Sequence, residues 1–125
     1  MIDHPVCVAR IAEDGANIDL MLNNAREPTL FLSRPDWDRD EGRIGIGMAV
    51  DREPSRKLEG DAVADVVVVT LSDDALVKRL RRARLVLWSL PSGRFRTGIA
   101  KFGAALDAVK RCNARDDRAF AGKAH

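Results

Sequence analysis

Only two cysteines occur in this chain, Cys7 near its start and Cys112 near its end. No other feature constrains the fold as tightly. A bond between them would tie nearly the whole domain into one covalent ring. Closing a loop of about 105 residues stabilises a fold by on the order of 4–5 kcal/mol in the chain-entropy treatment, if the geometry is unstrained. An even cysteine count bracketing a domain is also the pattern of oxidising compartments rather than the reducing cytosol. The alternative is two buried free thiols that pack as small hydrophobes.

The 125 residues, 46% hydrophobic and 32% charged, suit one globular domain, taken as residues 1–113 followed by a C-terminal tail at 114–125. A net charge of +2 does not demand a polyanionic partner. Sixteen arginines against five lysines are the bias that a GC-rich bacterial genome would produce, so single arginines carry little functional signal. No apolar run approaches the roughly 20 residues of a membrane span. The densest run, Val63 to Leu71, is interrupted by Asp65. The opening residues Met1 to Pro5 lack the basic start and apolar middle of a signal peptide. A native start at Met1 would imply a cytoplasmic protein, whereas a removed leader would imply a periplasmic or secreted one. The cysteines favour the second.

Along the chain, Pro5 to Ile11 and Ile18 to Leu22 read as strands joined through Asp14-Gly15, a hairpin signal because glycine accepts positive φ. Thr29 to Ser33 is a third strand. Arg43 to Val50 alternates with period two: Ile44, Ile46, Met48 and Val50 face the core, while Gly45, Gly47 and Ala49 leave the other face nearly bare. That bare face leaves room for a helix or a partner chain, a second copy included. A short strand at Arg56 to Glu59, a turn at Gly60-Asp61 and a buried strand at Ala62 to Thr70 follow. Ser72 as N-cap opens a helix to about Ala83. Strands at Arg84 to Leu90 and Arg94 to Arg96 lead to a last helix from near Thr97 to about Asn113. Its stripe of Ile99, Phe102, Leu106, Val109 and Cys112 turns the second cysteine toward the core. The expected class is α+β, mainly antiparallel β: a sandwich or curved sheet of about seven or eight strands with two packed helices.

Catalytic signals are sparse. The only histidines, His4 and His125, lie at the extreme termini, which argues against a Ser-His-Asp triad, a Cys-His pair or a histidine zinc site. The acidic run Asp36 to Gly42 places oxygens at alternate positions as a calcium loop does. However, Gly42 comes one position late, Gly47 occupies the place of the bidentate glutamate, and Arg39 and Arg43 oppose a cation. Gly42, Gly45 and Gly47 do not form a dinucleotide fingerprint. No cofactor or metal is implied. Lys78, Arg79, Arg81 and Arg82 form the one basic cluster, placed around the exposed side of a helix where it could meet an anionic partner. It has no accompanying aromatic platform, and cations near a helix C-terminus are favourable for local reasons.

The order Val6-Cys7-Val8, the strand Arg43 to Asp51, the segment Leu76 to Leu87 and the helix Gly98 to Cys112, with its aromatic, Ala-Ala-Leu run and closing cysteine, resembles the bacterial invasion-associated protein B family of small periplasmic proteins. The resemblance implies an exported, mostly β protein without catalytic residues. The sequence therefore leads to an expectation of a non-enzymatic exported protein with a binding or envelope-interaction role, toward a protein or envelope partner rather than nucleic acid. A cytosolic regulatory module using residues 78–84 against nucleic acid or an acidic partner is the alternative.

Overall fold

Period-two alternation of apolar and polar residues curls eight strands into one sheet whose apolar face closes on itself. The computed structural model describes residues 7–13, 15–34 and 42–123, with side chains as far as Ala114. The expectations for Pro5, Val6, Asp14, the acidic segment 36–41 and both histidines lie outside the described residues. The strands are β1 (Ala9–Ala12), β2 (Asn17–Leu22), β3 (Pro28–Ser33), β4 (Gly42–Val50), β5 (Arg56–Val63), β6 (Val66–Thr70), β7 (Leu85–Leu90) and β8 (Gly93–Gly98). Helix α1 (Asp74–Leu80) links β6 to β7, and α2 (Phe102–Lys123) ends the described chain.

The sheet order is β1-β2-β3-β6-β5-β4-β7-β8, antiparallel throughout. Three hairpin-linked strands, β4 to β6, are thus inserted in reverse order, so β3 to β4 and β6 to β7 are the two long crossings. The sheet is nearly closed: at Gly15, in the β1–β2 turn with φ +81°, an added Cβ would stand 2.5 Å from the carbonyl oxygen of Arg96 on β8. Inward-facing Ile18, Leu20, Leu32, Met48, Val50 and Trp88 are fully buried. The buried Trp88 indole N–H donates to Thr97 Oγ1 at 2.8 Å, so its polar atom is satisfied inside the core. Leu76, Val77 and Leu80 of α1 and Phe102, Ala105 and Leu106 of α2 complete the same core. The helices touch directly through Arg81 Nη2, which donates to Asp107 Oδ1 at 2.9 Å.

The fold class expected from sequence is the one observed, with several local corrections. Gly60-Asp61 is not a turn but lies inside β5, and the chain reverses at Ala64-Asp65, where Ala64 takes φ 55°. The expected long strand Ala62 to Thr70 is therefore a hairpin in which Val63 pairs with Val66. Gly60 is a glycine for close approach rather than for turning: a Cβ there would meet Ile46 Cδ1 at 2.6 Å and the Val68 carbonyl oxygen at 2.8 Å. Asp73, not Ser72, caps α1, accepting from the Ala75 N–H. That helix ends at Leu80, where Arg82 and Ala83 donate three residues back, to Arg79 and Leu80, and tighten the chain. Thr97 belongs to β8, held there by Trp88, so α2 starts later than expected and continues past Asn113 through the segment read as a tail.

Gly60→Ala is expected to destabilise the fold by about 1–3 kcal/mol, because backbone as well as a side chain must give way. Gly45→Ala, whose Cβ would meet nothing within 4 Å, serves as the neutral control. Urea unfolding midpoints of the two variants provide the comparison.

Candidate functional site

Cys7 lies two residues before the start of β1 and is bonded through Sγ to Cys112 on α2, with the two Cα atoms 5.9 Å apart. The α2 stripe predicted from sequence is what presents Cys112: Phe102, Leu106 and Val109 are buried on that face. The bond fixes α2 beside β1, the shortest strand of the sheet and one of its two edges. β1 carries a bulge between Arg10 and Ala12, a common device for ending strand pairing.

Among the described residues no backbone hydrogen bond joins β1 to β8. The seam is in contact at Gly15 and opens beyond it into a cleft of about 350 Å3, with Arg10, Ile11 and Glu13 on one wall and Gly98, Ala100 and Lys101 on the other. This volume is at the lower end for small-ligand sites. Arg10 is engaged across the strand pair by Asp19, at 3.0 and 3.3 Å. Glu13 and Lys101 form no ion pair among the described residues. The cleft can hold a small molecule or a chain end by opposed charges, but no nucleophile paired with a base lines it.

The basic cluster is not a continuous cationic face. Arg79 donates from Nε to Glu53 at 2.6 Å and from Nη2 to Asp51 at 2.9 Å. Arg81 is taken by Asp107. Only Lys78 and Arg82 project freely. The acids that neutralise the cluster come from the β4–β5 turn and from α2, far away in sequence, and this is why sequence reasoning missed them. The one local hint was an acid at Asp51, directly after a buried strand.

Asp51 is the hub of this network. Its backbone sits at φ 52°. Its Oδ1 accepts from the N–H groups of Arg84 and Leu85 at 3.0 and 3.1 Å, and its Oδ2 from Arg79. The Arg84 amide first, then Arg79 and the Leu85 amide, hold its carboxyl below the ordinary range. Arg79 does the same for Glu53, and Arg81 for Asp107. Arg79 is pushed up in turn, chiefly by Glu53 and then by Asp51. On the outer sheet face Arg43 is likewise raised, by Glu59 and then Asp61, which it bridges at 2.8 and 3.4 Å. Carboxylates held ionised and paired in this way are poorly suited to proton transfer near neutral pH. Among the described residues no group of three or more His, Cys, Asp or Glu is placed to hold a metal.

No family model matches the chain, and no solved structure matches it.

A carboxylate whose pKa is lower folded than unfolded adds stability that is complete above its unfolded value, near pH 4, and is lost as pH falls through the depressed folded value. Thermal stability should therefore drop as acid protonates Asp51, Glu53 and Asp107. Asp51→Asn keeps an acceptor for the two amides but removes the charge. Its melting temperature should be lower around pH 7, and its further loss between about pH 4 and pH 2 should be smaller than that of the unaltered protein. Equal slopes in melting curves of the two proteins would remove Asp51 from this role.

Proposed function

We propose that this protein is a non-catalytic binding domain exported to a periplasmic or extracellular compartment, where it meets a protein or envelope partner. The observation that carries this reading is the Cys7–Cys112 bond, since such bonds persist in oxidising compartments. The resemblance to invasion-associated protein B-like chains points the same way. Among the described residues no helix is long and apolar enough to cross a membrane.

Two features support binding rather than catalysis. The interior of the sheet is filled by buried side chains such as Trp88, Met48 and Leu32, leaving surfaces rather than a deep chamber for recognition. The Asp51, Glu53 and Asp107 carboxylates serve the fold as ion-pair partners. The cytosolic nucleic-acid reading is weakened by the same geometry, because Arg79 and Arg81 already neutralise acids of this chain.

Protein extracted from its native cells under a thiol-blocking reagent, then unfolded, should show no free thiol before reduction and two afterwards. It should also fractionate with exported proteins. Two free thiols at extraction, or recovery in the cytosolic fraction, would overturn the assignment.

A further inference from the structure

Most described carboxylates of this chain already have partners within it. Asp19 holds Arg10, Glu59 and Asp61 hold Arg43, Asp51 and Glu53 hold Arg79, and Asp107 holds Arg81. The charge left over is therefore cationic, and its placement on the sheet is ordered. On the outer face, cross-strand register aligns Lys57 with Gly47, Gly47 with Ser89 and Ser89 with Arg94. The next row aligns Ala49 with Leu87 and Leu87 with Arg96. Lys57, Arg94 and Arg96 are exposed and form no ion pair among the described residues.

At the usual strand spacing, Lys57 and Arg94 stand about 14 Å apart along the sheet, with only Gly47 and Ser89 between them. Arg94 and Arg96 are about 7 Å apart along β8, the repeat of alternate residues in an extended chain. We propose that this face of β5, β4, β7 and β8 docks an extended acidic peptide segment of a partner protein, with carboxylates at alternate positions against Arg94 and Arg96 and one from the opposite side against Lys57. The proposal rests on the binding role above and names its partner. Two other anionic occupants fit less well. Trp88 and Phe95 point into the core, so no aromatic ring on these two strands stacks a base. A lipid surface calls for clustered protruding apolar groups. The exposed large hydrophobes of this face, Val63 at 63% and Leu85 at 39%, instead stand by register near opposite ends of β4, beside Gly42 and Val50.

The test is fluorescence anisotropy of the full, oxidised protein at low ionic strength with a labelled peptide of alternating Glu and Ser. One central Ser is replaced by Glu, so that one carboxylate faces Lys57 from the other side of the extended chain. Binding is expected, weaker for a peptide of the same composition with its acids in one block. It should fall at least about tenfold in R94E/R96E and clearly in K57E, with melting curves unchanged because all three side chains are exposed. R82E, in the turn just after α1 rather than on this face, should bind as the unaltered protein does. The proposal falls if the alternating peptide does not bind, if R82E weakens binding as much as R94E/R96E, or if the face variants bind normally. Stronger binding to anionic phospholipid vesicles, lost in the same variants, would also overturn it by reassigning the face to lipid. A disulfide-bonded protein that ignores the peptide removes this face alone. Free thiols at extraction, with peptide binding intact, would remove the exported assignment alone.

Discussion

A sheet with one apolar face must bury that face against something, and here it buries it against itself. Ile18 and Leu20 on β2, Leu30 and Leu32 on β3, Met48 and Val50 on β4 and Trp88 on β7 converge on one interior. At roughly 25 cal/mol per Å2 of apolar surface removed from water, this convergence is the main force curling the strands. The rest follows from it. Curling brings β1 and β8 together, Gly15 allows the first hairpin to touch Arg96, and the two helices add their own apolar stripes to the same interior. The covalent link then holds α2 against the edge that pairing alone secures least.

Electrostatics plays a different part. Exposed ion pairs add little to stability individually, but Asp51 ties the β4–β5 turn to both α1 and the start of β7 through three hydrogen bonds. Recruiting acids for such tasks leaves the remaining surface cationic in a pattern set by strand register. A basic count in the sequence was therefore a poor guide to where an anionic partner would bind. The helix cluster is half neutralised, whereas the exposed cations on β5 and β8 are dispersed along the sequence and assembled only by pairing.

The class of fold and the disulfide partners were legible because both depend on local signals. Alternation in β4, the glycine at position 15 and the three-and-four spacing that places Cys112 on the buried face of α2 each survive in the structure. What was not legible depended on contacts between distant segments. Gly60 carries the same sequence signal whether it turns the chain or makes room for Ile46, and only the β4–β5–β6 packing distinguishes these roles. Thr97 looked like a helix start because its bond to Trp88 crosses a strand pair. Asp51 lies 28 residues from Arg79, beyond any window over which a charge pattern can be read.

The bond between Cys7 and Cys112 has a topological consequence. All eight described strands and the whole of α1 lie between the two linked residues, so a single cut in any loop of the sheet opens a ring instead of dividing a molecule. The two halves of a once-cleaved chain stay covalently joined, and their separation waits on a reductant. In surroundings rich in proteases and poor in thiols, a nicked domain of this design keeps its parts together.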